Sequence, residues 1–335
     1  MTPLEFIYYT GYRMNKGYVS NHSKRLPHKV ISLGNITVGG AGKTPAAMAM
    51  AEEAKKRGYS PVILTRGYRG KAKGPCFVTT AGDMKTGICS SVEEAGDEPV
   101  LMAERLRDVP VVKCADRYAG GMFALEALRP APTPFLFILD DGFQHWRLSR
   151  DVDIVLIDGL NPFGNRRLLP MGPLREPLSE LRRANLFVVT KVRNQALCDE
   201  LAVIAPGRPS YFAEYEVQGL RDGAGRHVPL EEVRGRKVYA FCGIANPASF
   251  IKTLEARGFR LQGIQTFRDH HAYTMTDLAS LSRRADKAGC DFVVTTEKDM
   301  VKLRSMELPG NLLCLQVRWN VEEGFFNEVF MRIEQ

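Results

Sequence analysis

GNITVGGAGKTP, residues 34–45, follows directly on the apolar run Val30-Ile31-Ser32-Leu33. A short β-type run, a glycine-rich turn and Lys43-Thr44 at the head of a helix gather several backbone N–H groups and a helix N-terminus about one point. That arrangement holds phosphate. Gly39, Gly40 and Gly42 supply positions where the backbone adopts positive φ or closely approaches an oxygen, and Ala41 and Pro45 complete the cradle. Lys43 would reach the β- and γ-phosphates of a nucleotide and the Thr44 hydroxyl would ligate Mg²⁺. The usual spacing G-x-x-x-x-G-K-[ST] asks for glycine where this chain has Thr37, so only the opening glycine of a P-loop is missing.

Outward from this loop, apolar β-rich runs alternate with helical stretches. Val30–Leu33, Pro61–Leu64, Val109–Lys113, Phe135–Leu139, Ile154–Ile157 and Leu186–Thr190 read as buried strands, with helices at Thr44–Arg57 and Pro99–Arg107. Short continuous apolar strands separated by helices predict an α/β fold, a mostly parallel P-loop NTPase-like sheet with helices on both faces. Ligands of such sheets bind at the carboxyl ends of the strands. The rhythm changes near residue 212, where Asp222-Gly223-Ala224-Gly225 marks a hairpin. It then resumes in a smaller α/β unit with strands Lys237–Cys242, Arg260–Thr266, Phe292–Thr295 and Leu312–Val317. The predicted organisation is an N-terminal helix over 1–28, a P-loop domain over 29–214, a hairpin linker over 215–235 and a smaller α/β domain over 236–335.

Further motifs carry chemistry. The strand Phe135–Leu139 ends in Asp140-Asp141-Gly142-Phe143-Gln144-His145, and a carboxylate at the end of an apolar strand is where a P-loop enzyme holds Mg²⁺. Two adjacent acids there are too costly to bury without a cation or developing positive charge nearby. Gly96-Asp97-Glu98-Pro99 is an acidic turn whose proline suits a helix start. Leu168-Leu169-Pro170-Met171-Gly172-Pro173-Leu174-Arg175-Glu176-Pro177 is a stiffened loop presenting an Arg–Glu pair, for substrate or for a salt bridge. In Phe267-Arg268-Asp269-His270-His271-Ala272-Tyr273 the histidines could be metal ligands, a general base or part of a solvated loop; adjacent residues on an extended segment point opposite ways, which argues against both ligating one metal. Thr190-Lys191 and Thr295-Thr296-Glu297-Lys298-Asp299, each following a strand, could face a nucleotide base.

The net charge of +8 suits nucleic acid, anionic lipid or a polyphosphate substrate. No clustered Lys/Arg stripe favours nucleic acid, and none is expected as a partner. Seven scattered cysteines without a C-x-x-C pair argue against a disulfide framework or a zinc site. No apolar run approaches the roughly 20 residues that span a bilayer, and no signal-peptide pattern opens the chain. In the first 25 residues, Leu4, Phe6, Ile7, Tyr8, Tyr9, Tyr12, Met14 and Tyr18 are interleaved with Arg13, Lys16, Lys24 and Arg25. Such a helix lies in a membrane interface or packs on the core with a solvated basic face.

Taken together, GNITVGGAGKTP, Thr65-Arg66-Gly67-Tyr68, Gly96-Asp97-Glu98-Pro99, DDGFQH, LLPMGPLREP, FRDHHAY and TTEKD resemble the tetraacyldisaccharide 4′-kinase family, colinearly from about residue 5 to about 303. DDGFQH and GPLREP together are specific to it, and its P-loop likewise lacks the leading glycine. The resemblance implies an ATP- and Mg²⁺-dependent phosphotransferase acting on the 4′-hydroxyl of a tetraacylated glucosamine disaccharide 1-phosphate, peripheral to the cytoplasmic face of the inner membrane through its N-terminal helix. It implies that Lys43 contacts phosphate, that Thr44 and Asp140 ligate the metal and that Asp141 is a further metal-binding or catalytic acid. Asp97 and His270 would form the pair that deprotonates the sugar hydroxyl, and Gln144, His145, Arg175 and Glu176 would be further active-site positions. The N-terminal segment departs from the family in being richer in tyrosine than in arginine. The alternative is a P-loop GTPase switch or metallochaperone, against which Arg193 stands where a guanine-reading aspartate would follow Lys191.

Overall fold

Every apolar run that the sequence marks as a strand pairs in parallel in the computed structural model, which describes residues 2–79, 87–129 and 133–335. The fold is α/β, and the chain divides into two units, Met1–Glu214 with Trp319–Gln335, and Tyr215–Arg318.

The first unit opens with α1 (Pro3–Ser20), β1 (Lys29–Gly34), α2 (Lys43–Lys56) and β2 (Ser60–Thr65). Short strands β3 (Cys76–Val78) and β4 (Ile88–Cys89) follow, then α3 (Val92–Ala95), α4 (Asp97–Arg105), β5 (Val111–Lys113) and α5 (Arg117–Leu128). Next come β6 (Phe135–Asp140), β7 (Val152–Asp158), a 3₁₀ turn at Leu178–Arg183, β8 (Leu186–Thr190), α6 (Gln195–Ile204) and the start of β9 (Ser210–Asp222). The strand order is β9-β8-β7-β1-β6-β2-β5-β3-β4, with β3 antiparallel to β5. Central β1 is buried from Val30 to Gly34 and β6 throughout, so both read as continuous apolar runs rather than alternating ones.

Register decides where the chemistry sits. Leu33 of β1 pairs with Asp140 of β6, so the first acid of the Asp-Asp pair lies beside the residue that precedes the phosphate loop. The turn after Asp140 folds back onto β1, where the Gly142 amide donates to the Leu33 carbonyl at 3.0 Å. Gly34 makes room for it, because a Cβ there would lie 2.5 Å from the Phe143 Cβ and 2.7 Å from its backbone nitrogen. Phe143 is fully buried, which contributes about 1.5–3 kcal/mol to holding this turn in place.

The second unit contains the rest of β9, β10 (His227–Val228), α7 (Leu230–Val233), β11 (Lys237–Cys242), α8 (Pro247–Ala256) and β12 (Arg260–Thr266). It continues with α9 (Met275–Lys287), β13 (Phe292–Thr296), α10 (Glu297–Leu303) and most of β14 (Leu312–Val321). Its parallel strands run in the order β12-β11-β13-β14. The expected hairpin is present, β10 pairing antiparallel to β9 across the Asp222–Arg226 turn.

Two features depart from the sequence reading. Residues 319–335, expected within the second domain, belong with the first unit because the last helix, α11 (Phe325–Glu334), buries Phe325, Val329, Phe330 and Ile333 there. Phe325 meets Tyr211 edge-on at 5.4 Å between ring centroids, and Arg57 lies over the Phe330 ring at 4.5 Å. An amphipathic terminal helix carries its period in its sequence but not the identity of the surface that covers it. The second departure is a disulfide, Cys76–Cys89, with an S–S distance of 2.01 Å. The two cysteines are 13 residues apart and are brought together by the pairing of Val78 with Cys89 and Phe77 with Ile88, a long-range contact that spacing alone does not reveal. The other five cysteines are free.

Candidate active site

The phosphate loop has the backbone that its glycines predict. Gly42, the residue before α2, is left-handed at φ 87°, and Gly39 has φ 130°. No side chain caps α2, so its first amides face the loop without an internal acceptor. Thr190, at the end of β8, donates to the Ala41 carbonyl at 3.3 Å and is buried. It braces the loop, where the sequence offered it as a contact to a base. Lys191 is paired with Asp158.

Lys43 donates to Asn35 Oδ1 at 3.1 Å and lies 3.5 Å from Asp141 Oδ1. Arg175 closes the other side of Asp141, one Nη1 donating to both carboxylate oxygens at 2.9 Å and to Gln144 Oε1 at 3.2 Å. Burial pushes the Asp141 carboxyl up, but the cations Lys43 and Arg175 outweigh it and hold the group below its ordinary range. Asp141 sits at φ 53°, one of five non-glycine residues with positive φ among the described residues, and such sparsely populated backbone is maintained only where its surroundings over-determine it.

Asp140 is in the opposite situation. It is 2% exposed, Oδ2 accepts from the Thr65 hydroxyl at 3.3 Å, and buried Oδ1 has no hydrogen-bond partner. Burial, followed by the charges of Glu98 and Asp141, pushes its carboxyl up to about 7. A buried oxygen without a donor, beside two further acids, is an environment that a cation would satisfy. Among the described residues no three His, Cys, Asp or Glu side chains converge to hold a metal alone. That suits Mg²⁺, which takes one or two protein oxygens and completes its shell with water and substrate phosphates. Asp140 and the buried Thr44, at the start of α2, are the donors that fit it.

The loop over 168–177 is built against the phosphate loop. The Val38 amide donates to the Pro173 carbonyl at 2.7 Å and the Arg175 amide to the Ile36 carbonyl at 2.8 Å. Glu176 is fully buried, accepting from Gln144 Nε2 at 2.6 Å and from Arg183 Nη2 at 2.5 Å. Gln144 Nε2 also donates to the Asn35 carbonyl at 2.8 Å, so Gln144 and Glu176 are the frame on which Lys43 and Arg175 are hung. Helix α1 props the same frame, the Tyr8 hydroxyl donating to the Arg175 carbonyl at 2.7 Å and the Tyr12 hydroxyl to Glu176 Oε2 at 3.2 Å.

Asp97 is the first residue of α4 and is buried, its Oδ1 accepting from the Glu98 amide at 2.9 Å. The Thr65-Arg66-Gly67-Tyr68 motif packs against this corner, where a Cβ on Gly67 would lie 2.5 Å from the Ala95 carbonyl oxygen. His145 is turned into the protein; burial and then Arg117 bring its pKa down to about 3, which leaves a neutral imidazole at physiological pH. Sequence reasoning passed over Asn35, Arg183 and Arg117. Arg117, at the start of α5, is buried and its charge helps to hold Asp141 ionised; a basic residue just after the Asp116 helix cap was its only trace in the sequence.

In the second unit, His270 stands at φ 58°, its amide donating to the Gly243 carbonyl at 3.3 Å. Its Nε2 lies 3.4 Å from Lys298 Nζ and 3.7 Å from Asp269 Oδ2. His271 diverges, stacking on Phe267 at 4.5 Å with Nε2 3.3 Å from Asp277 Oδ2. The two histidines thus have separate partners.

The family model for tetraacyldisaccharide-1-P 4′-kinase (LpxK) matches residues 1–334. Tetraacyldisaccharide 4′-kinase of Syntrophus aciditrophicus is 40% identical over 320 residues, 90% of this chain and 83% of that one. The enzyme of the same name from Anaeromyxobacter sp. strain K is 46% identical over 282 residues, 82% of this chain and 72% of that one. A crystal structure of the "apo" form of LpxK from Aquifex aeolicus in complex with ATP superposes with a TM-score of 0.76 at 34% identity, covering 99% of this chain and 98% of that one.

The two acids predict a stability signature. Because the Asp140 carboxyl titrates higher folded than unfolded, its ionisation removes stability progressively as pH rises from about 4 to about 7. Asp140→Asn is therefore expected to raise the melting temperature of the metal-free protein by a few degrees at about pH 8, to leave it little changed at about pH 4, and to abolish Mg²⁺-dependent phosphate transfer. A variant less stable than wild type at about pH 8 would contradict the assignment.

Proposed function

We propose a division of roles among these residues from the premise that the chain belongs to the tetraacyldisaccharide 4′-kinase family. The chain is an ATP- and Mg²⁺-dependent kinase that transfers the γ-phosphate to the 4′-hydroxyl of tetraacyldisaccharide 1-phosphate in lipid A biosynthesis. The observation that supports the assignment of roles is the contrast between the neighbouring acids, Asp141 clamped by two cations and Asp140 with a buried oxygen free for a metal.

In this reading the amides of Gly39 to Thr44 and the start of α2 cradle the β- and γ-phosphates, and Pro45, in the first turn of α2, removes an amide that has no partner within the helix. Lys43 keeps its ion pair with Asp141 and turns its donor from Asn35 to phosphate oxygens. Thr44 and Asp140 would hold Mg²⁺, which would offset charge on the phosphates. Asp141 keeps Lys43 and Arg175 in place, and Arg175 is positioned to neutralise charge that develops on the transferring group. Phosphoryl transfer depends mainly on such positioning and neutralisation. His270 accepts the hydroxyl proton as the new O–P bond forms and ADP leaves with the electrons of the broken one.

No helix among the described residues is long and apolar enough to cross a membrane. The lipid substrate instead directs attention to α1, where Ile7 and Tyr18 are 67% exposed and Met14 is 72% exposed, while Tyr8 and Tyr12 face inward. This outer face supports peripheral attachment to the inner membrane's cytoplasmic surface. Nothing favours the switch or metallochaperone alternative; Arg193 is ion-paired with Glu322 at 3.1 Å.

Transfer of labelled γ-phosphate from Mg²⁺-ATP to tetraacyldisaccharide 1-phosphate in detergent micelles tests the base. Asp97→Ala and His270→Ala should each slow it by about a hundredfold or more, and transfer indifferent to both changes would place the proton acceptor elsewhere. Replacing Phe6 and Ile7 together by serine should cut binding to anionic vesicles by about tenfold or more while preserving transfer in micelles. Undiminished vesicle binding would remove α1 as the anchor.

A further inference from the structure

The Thr295-Thr296-Glu297-Lys298-Asp299 turn, between β13 and α10, has no part in the roles assigned above. Asp299 is fully buried yet carries a full set of partners. Its Oδ2 accepts from the Gly243 amide at 3.0 Å and the Thr296 hydroxyl at 2.7 Å, its Oδ1 accepts from the Tyr273 hydroxyl at 3.0 Å, and Lys302 lies 2.6 Å from Oδ1. One carboxylate thus ties together the end of β11, the far end of the histidine loop and the start of α10. Gly243 returns the connection, since its carbonyl accepts from the His270 amide, and a Cβ on it would meet the Arg268 carbonyl oxygen and the Tyr273 hydroxyl at 3.1 Å. The backbone that carries His270 is therefore set by this turn.

Lys298 is the next residue towards the loop. Its ammonium donates to Asp269 Oδ1 at 3.3 Å and lies 3.4 Å from His270 Nε2, while Asp269 Oδ2 is 3.7 Å from the same ring nitrogen. An ammonium has donors only, so the imidazole that accepts from it has its proton on Nδ1 and a bare Nε2. That is the tautomer a proton acceptor needs. Asp269 stands beside the same nitrogen, where an N–H formed by proton uptake meets a carboxylate.

We propose that Lys298 is a positioning residue for phosphoryl transfer: on a turn anchored by Asp299, it holds His270 with Nε2 unprotonated and Asp269 alongside. The incoming sugar hydroxyl replaces the ammonium as the donor to Nε2 and gives up its proton there, and Asp269 stabilises the resulting imidazolium. This rests on the reading of His270 as the proton acceptor and gives the TTEKD turn a task other than contacting the nucleotide base.

The test is a kinetic cycle on the full-length protein in detergent micelles, with Lys298→Met and Lys298→Arg placed in wild-type and His270→Gln backgrounds. Lys298→Met should lower kcat roughly tenfold with the KM for ATP unchanged, and Lys298→Arg, which keeps a cationic donor, should recover most of the loss. In the His270→Gln background the same Lys298→Met change should cost less than about twofold, because the residue that Lys298 positions is gone. Melting temperatures of the Lys298 variants should match wild type. Equal losses in both backgrounds, or a raised KM for ATP at unchanged kcat, would overturn the proposal and assign Lys298 to another task. If His270→Gln itself transfers phosphate at the wild-type rate, the proton-acceptor reading fails; if it is slow and Lys298→Met is not, only the positioning role fails.

Discussion

Two carboxylates that are neighbours in the chain, at the end of one central strand, live in opposite electrostatic surroundings, and the active-site region of the first unit is arranged to keep them so. Asp141 is bracketed by Lys43 and Arg175, and Asp140 is buried with one oxygen unanswered. Side chains of successive strand residues point to opposite faces, and the left-handed backbone at Asp141 turns the second carboxylate out of the sheet towards the loops. Had both acids faced the same environment, they would have repelled one another and shared the available cations. Their separation leaves one held between two cations and the other with a buried oxygen that a metal would satisfy.

Keeping Arg175 on Asp141 requires the rest of the frame. The loop that carries Arg175 pairs its backbone with the phosphate loop, and the buried Glu176 beside it would be costly without Gln144 and Arg183. Tyr8 and Tyr12 extend the frame to α1, which gives that helix two dissimilar faces: an inner one that donates hydrogen bonds to the active-site loop and an outer one of exposed apolar side chains. The two tyrosine hydroxyls thus connect the exposed apolar face of α1 to the residues around the phosphate loop.

What the sequence revealed and what it concealed divide along physical lines. Buried parallel strands announce themselves because both faces are covered, so β1, β2, β6, β7 and β8 were legible as apolar runs. The phosphate loop was legible because its glycines meet a backbone requirement, as Gly42 does in its left-handed conformation. The contacts that failed to show were long-range and depended on partners rather than on local pattern. The Cys76–Cys89 bond arises from strand pairing, the return of α11 to the first unit from which surface covers Phe325 and Phe330, and the parts played by Asn35, Arg183 and Arg117 from a frame assembled from distant segments. His145, which the resemblance implies as an active-site position, has a buried Nε2 and a pKa that burial and then Arg117 bring down to about 3.

The most direct test of the contrast between the two acids is calorimetric titration of ATP into wild type, Asp140→Asn and Asp141→Asn, each with and without Mg²⁺. If Asp140 is the metal ligand and Asp141 the clamp on Lys43 and Arg175, Asp140→Asn removes the gain in affinity that Mg²⁺ confers and leaves metal-free ATP binding intact, whereas Asp141→Asn retains that gain. An undiminished Mg²⁺ effect in Asp140→Asn, or its loss in Asp141→Asn alone, would contradict the account.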